Sequence, residues 1–72
     1  MSPTDKIKFR VDKYNLTYVW LINELSRTKH IETDKTEMSS VINGTRKGAK
    51  ADAIIKCSNE VLDEYEQSYY SQ

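Results

Sequence analysis

Two glycines, one proline, one histidine and one cysteine are all this chain has of the residues that punctuate loops, bind metals or cross-link segments. So little punctuation excludes a many-stranded sheet, with its frequent tight turns, and favours a helical bundle. A lone cysteine, Cys57, excludes an internal disulfide and a cysteine metal site, and a reducing cytoplasm is the expected setting. Its place in the apolar gap of a helical pattern predicts a small buried thiol. His30 has no second histidine or cysteine nearby, so a solvated or turn-packing role is expected rather than metal binding. No apolar run approaches the ~20 residues of a membrane-spanning helix, and the pattern of a secretory leader is missing. No glycine-rich phosphate loop, histidine–cysteine pair or serine–histidine–acid set is evident, so neither an enzyme nor a cofactor site is expected.

What is present is a short, charged chain. Its 72 residues are 38% hydrophobic and 31% charged, which predicts one domain, residues 1–72, with a modest core. The net charge is zero but unevenly placed. Residues 1–50 hold ten Lys/Arg and six Asp/Glu, whereas residues 51–72 hold one lysine and five acids. Such polarity suits a solvated acidic helix end, an internal docking of the two parts, or a partner with a basic surface.

Four helices are expected. "SPTDKIKFRVDKYN" begins with a capping Ser2 and with Pro3 at the first helical position, and Ile7, Val11 and Tyr14 share a face. Phe9 falls off that stripe. After a break at Asn15 and Leu16, Thr17 caps a second helix with Leu21, Ile22 and Leu25 inward, joined by Tyr18. Residues 28–33 read as a polar connection anchored by Ile31. Asp34 and Glu37 have capping-box spacing ahead of a short third helix, whose Met38, Val41 and Ile42 are apolar and whose stop is Asn43-Gly44. A basic turn, "TRKGAK", leads into a long helix over roughly residues 50 to 69. Along it Ile54, Ile55, Val61, Leu62, Tyr65 and Tyr69 recur at helical spacing, opposite Lys56, Asn59, Glu60, Asp63, Glu64 and Gln67.

The phrases "NLTYVWLINEL" and "EMSSVINGTRK" resemble the Cro and phage-repressor class of helix-turn-helix domains. The fold expected is therefore all-α: a small helix-turn-helix-like bundle of about four helices, with a lengthened turn and a long C-terminal helix. From "MSPTDKIKFRVDKYN" to "EYEQSYYSQ" the chain also resembles the modulator-of-repression antirepressors of temperate lactococcal phages. That resemblance implies an antirepressor that binds the N-terminal DNA-binding domain of the phage CI repressor in the cytoplasm of the host bacterium. Blocking operator binding there moves the lysis–lysogeny switch towards lytic growth. The alternative implied by the wider class is a Cro-type operator-binding regulator.

In that class the start of the third helix enters the major groove. Carried over, the DNA-contacting residues would be Lys35, Thr36, Ser39 and Ser40, with Arg46 and Lys47 near phosphates. Three features count against a strong reader. Ser26 lies twelve residues before Met38, about twice the tight spacing. Asp34 and Glu37 put carboxylates where phosphates would come. The chain as a whole is neutral, whereas DNA-binding modules are usually basic. Weak or repressor-assisted DNA contact stays open.

The long helix carries Glu60, Asp63, Glu64 and Glu66 towards its C-terminal end, with no base after Lys56, although that end of a helix favours cations. Tyr65, Tyr69 and Tyr70 sit among these acids. Tyr65 can close the core while the other two fray; alternatively the three make an aromatic and acidic docking surface that mimics DNA towards a basic partner. Trp20 divides in the same way between core and partner. The expected partner-binding residues are thus Trp20, Tyr65, Tyr69 and Tyr70 as anchors, with Glu60, Asp63 and Glu64 as electrostatic guides.

Overall fold

The structure is a computed structural model and describes residues 1–71. It contains four helices and no strand among the described residues: α1 (Pro3–Lys13), α2 (Tyr18–Lys29), α3 (Lys35–Ile42) and α4 (Ala49–Tyr70). The chain is a small all-α bundle. No helix among these residues is long and apolar enough to cross a membrane.

Local chemistry sets most boundaries. Ser2 Oγ accepts from the Asp5 N–H at 3.1 Å, with Pro3 opening the helix. Thr17 Oγ1 accepts from the Trp20 N–H at 3.0 Å, and Asp34 Oδ1 from the Glu37 N–H at 2.7 Å. Each side chain thereby satisfies an amide that the helix itself leaves unpaired. Gly44 (φ 82°) reverses the chain after α3. Only α4 begins without a side-chain cap, at Gly48 (φ 126°).

Three expectations need correction. Thr28 and Lys29 belong to α2 rather than to a polar connection, which shrinks to residues 30–34. The helix ends there through a left-handed His30 (φ 57°, ψ 34°), after which the Ile31 N–H returns to the Leu25 carbonyl at 3.1 Å. A histidine thus occupies a conformation more often filled by glycine. Secondly, Glu37 does not complete a capping box, because its carboxylate turns towards Thr33, Arg46 and Lys50. Thirdly, Cys57 is only half-buried, and its neighbour Ser58 fills the fully buried position. The turn of α4 that separates Ile54 from Val61 points residue 58 inward, being four after 54 and three before 61.

All three shorter helices pack on α4, and α3 also touches α1 and α2. Ile7 of α1, Leu21 and Leu25 of α2, Met38 of α3, and Ile54 and Leu62 of α4 are completely shielded from solvent and form the centre of the core. Burying one such side chain contributes about 1.5–3 kcal/mol. Trp20, Tyr18, Ile22, Ile31 and Ile55 pack around this centre half-buried. The last turns of α4 run along α1 and α2, and this places the aromatic and acidic residues.

Candidate functional site: an aromatic–acidic edge on the last helix

Arg10 organises the seam between α1 and α4. It lies three residues after Ile7 and four before Tyr14, so it faces α4, and its side chain is only 7% exposed. Its Nη1 donates to Asp63 Oδ1 and to Glu66 Oε1 at 2.5 and 2.8 Å, and its Nη2 donates to Asn59 Oδ1 at 2.8 Å. Asn59, Asp63 and Glu66 fall at i, i+4 and i+7, one stripe of α4. One turn further along α1, the Tyr14 hydroxyl donates to Glu66 Oε2 at 2.7 Å. That bond, followed by the Arg10 guanidinium, holds the Glu66 carboxyl below its ordinary pKa.

Lys29 plays a similar part between α2 and α4. Its ammonium lies 3.3 Å from Glu64 Oε2 and 3.7 Å from Glu60 Oε1. The bond to Glu64 raises the Lys29 pKa above its ordinary value. The charge polarity of the sequence is therefore used within the molecule: two bases from the first half each bridge two acids of the second. These contacts are partial. The Asp63 and Glu64 side chains remain 66% and 62% exposed, so both keep oxygens turned to solvent.

The rings continue this edge. Trp20 meets Tyr65 edge-on at 5.3 Å, Tyr65 meets Tyr14 edge-on at 5.3 Å, and Tyr69 lies 5.0 Å from Tyr14. Tyr70 meets Tyr69 edge-on at 5.2 Å. Spacings of this kind contribute about 0.5–1.5 kcal/mol per pair beyond area burial. Trp20 and Tyr65 are half-buried, whereas Tyr69 and Tyr70 remain 52% and 65% exposed. The Lys13 ammonium stands over this array, 5.2 Å from the Tyr14 ring and 6.0 Å from that of Tyr70. The anchors named from the sequence thus divide into an inner pair, Trp20 and Tyr65, and an outer pair, Tyr69 and Tyr70. Phe9 is 53% exposed, and the same Lys13 ammonium lies 5.9 Å from its ring.

The residues carried over as DNA contacts lie elsewhere, at the corner made by α3 and the loop after it. Lys35, Thr36, Ser39 and Lys47 are exposed and Ser40 half-buried. Arg46 is not free: its Nη1 donates to Glu37 Oε2 at 3.0 Å, while the Lys50 ammonium lies 3.0 Å from Glu37 Oε1. Glu37 also accepts from Thr33 Oγ1 at 2.6 Å. The Thr33 hydroxyl, then Lys50 and Arg46, depress the Glu37 carboxyl to about 2. A carboxylate therefore sits between Arg46 and Lys50.

Sequence reasoning missed Arg10 and Tyr14 as members of this edge, and Glu37 as an ionic hub. The signal for Arg10 was available: a base at core spacing on α1 and a stripe of Asn59, Asp63 and Glu66 on α4. Between α2 and α4 a groove of about 240 Å³ is lined by Trp20, Val61 and Tyr65 together with the charged Glu24, Arg27 and Glu64. Among the described residues no cluster of three or more His, Cys, Asp or Glu could hold a metal ion. No protein-family model, curated protein or solved structure matches this chain.

Proposed function

We propose that this chain is a phage antirepressor. It binds the N-terminal DNA-binding domain of a CI-type repressor in the host cytoplasm and blocks that domain from its operator, with the aromatic–acidic edge of α4 as the docking surface. The observation that carries this reading is the exposure of Tyr69 and Tyr70 beside the outward oxygens of Asp63 and Glu64. Large rings left in solvent by a chain with a small core are suited to a partner. Carboxylates around them complement the lysines and arginines that a repressor presents to phosphates. The partner is the one that the sequence's resemblance to modulator-of-repression antirepressors implies.

The rival is a Cro-type operator binder using Lys35, Thr36, Ser39, Ser40, Arg46 and Lys47. The engagement of Arg46 and Lys50 by Glu37 ranks it second, because phosphates would have to compete with a carboxylate already in place. Weak DNA contact beside a bound repressor is compatible with either.

Adding the repressor's N-terminal domain to the isotope-labelled protein tests the proposal. Backbone amide shifts should concentrate at residues 60–70 and around Trp20, and Tyr69→Ala should weaken the complex at least tenfold with helicity retained. Absence of a complex, together with a tight operator shift by this protein alone, would establish the rival instead.

A further inference from the structure

We infer that the groove between α2 and α4 is a receptor for one arginine side chain of the partner. The inference takes the antirepressor reading for the partner's identity and adds the chemistry by which contact is made. The groove's volume, about 240 Å³, falls below the ~300–1,000 Å³ of small-molecule pockets and suits a single side chain rather than a free ligand. Its floor is aromatic, made by the edge-to-face pair of Trp20 and Tyr65, on which a planar cation can lie. Its carboxylates come from different helices, Glu24 of α2 and Glu64 of α4, with Arg27 of this chain also lining the groove, so a guest that takes Arg27's place on Glu24 and reaches Glu64 bridges two elements.

The chain itself demonstrates the required bonding. Arg27 donates through Nε and Nη2 to the two oxygens of Glu24, at 3.0 and 2.9 Å, in the fork geometry typical of guanidinium on carboxylate. Arg27 is 69% exposed and pairs only with its neighbour one turn away. The Glu24 side chain is 24% exposed, but a single i,i+3 pair with a solvated guanidinium contributes little, so a competing guanidinium that also reaches Glu64 can displace Arg27 from it. On the opposite wall, Lys29 contacts one oxygen of Glu64 and leaves that side chain largely in solvent. Thr28 and Ser68 line the ends and supply further polar groups. A lysine would reach the acids but could not lie flat on the Trp20 ring while bonding in a fork, which selects arginine.

Two titrations, both followed by NMR on the intact protein, separate this inference from the proposed function. The first uses a short blocked peptide containing arginine and its counterpart containing neutral citrulline. The arginine peptide should shift the Trp20 indole N–H and the Thr28 and Ser68 amides, the citrulline peptide should not, and Glu24→Gln with Glu64→Gln should abolish the response. Equal shifts from both peptides, or none from either, would overturn the inference. The second uses the repressor's N-terminal domain, with circular dichroism confirming that the double variant is folded. At least a tenfold loss of affinity in the double variant supports the inference. A folded double variant that binds within twofold of the wild type overturns the groove and leaves the antirepressor reading intact. An arginine peptide that binds while the repressor domain does not supports the groove and removes the proposed partner.

Discussion

At the α1–α4 seam one guanidinium is enclosed by carboxylates; at the start of α3 one carboxylate is enclosed by cations. The two hubs have similar bond lengths, and their surroundings differ. Arg10 is 7% exposed and joins residues more than fifty apart, so it helps to fix how two helices lie together. Glu37 joins α3 to the loop and the first turn of α4; its own side chain is 15% exposed, but both of its cations, Arg46 and Lys50, are 50% and 57% exposed, whereas Arg10 is itself the enclosed cation of its seam. Burial makes the first hub structural. Exposure leaves the second adjustable, and its net effect is to mask positive charge beside the short helix rather than to hold the bundle together.

Disrupting the seam should have the largest effect. Arg10→Ala removes the buried cation and leaves Asp63, Glu66 and the Asn59 amide without it, an expected loss of about 2–3 kcal/mol by urea denaturation. Arg10→Met restores stem packing and should recover part of this loss. A seam that tolerates Arg10→Ala within experimental error would reduce it to the status of the corner hub.

Next comes the masking. Glu37→Gln should strengthen non-specific duplex binding by releasing Arg46 and Lys50. Up to two added phosphate contacts would steepen the slope of log affinity against log salt by as much as ~1.8, measured by fluorescence anisotropy. An unchanged slope would mean that these cations are not held back by the carboxylate.

Acid sharpens the same contrast. The Glu37 pKa is depressed in the folded state, to about 2 from an ordinary 4.5, so its contribution is present above the unfolded value and is lost as pH falls through the folded one. Helicity followed between pH 5 and 2 should show Glu37→Gln to be less acid-sensitive than the wild type over that window. The smallest effect is expected at Lys29: Lys29→Ala should change the thermal midpoint slightly, and the difference should vanish in about 1 M salt, where the screening length is ~3 Å.

The parts of this architecture that were legible in the sequence are those decided within a few residues. Ser2, Thr17 and Asp34 are caps whose partners lie three positions on, and the apolar stripe of each helix follows from its own spacing. Expectations failed where the deciding partner was distant or the backbone unusual. Glu37 had the spacing of a capping residue, but Lys50, thirteen positions later, competes for its oxygens. Cys57 is an exception: spacing alone already assigns the inward position to its neighbour Ser58, four after Ile54 and three before Val61. His30 takes a left-handed conformation because α2 runs on to Lys29 and Ile31 must still reach the core. His30→Gly should therefore stabilise the fold, by up to about 1 kcal/mol in denaturant titration, if the ring makes no compensating contact. The candidate edge was half legible: its rings and acids were evident from composition and spacing, whereas its division into inner and outer members depends on where α1 and α2 lie.

The pairing of α1 with residues 59–66 also sets the order of assembly during synthesis. While a ribosome makes the chain, Arg10 and Tyr14 emerge some fifty residues ahead of Asp63 and Glu66. Until that segment clears the exit tunnel, α1 has no surface on which to complete its burial. The nascent chain must remain open over this interval, so any delay before residues 59–66 emerge would prolong the exposure of α1 to proteases and chaperones.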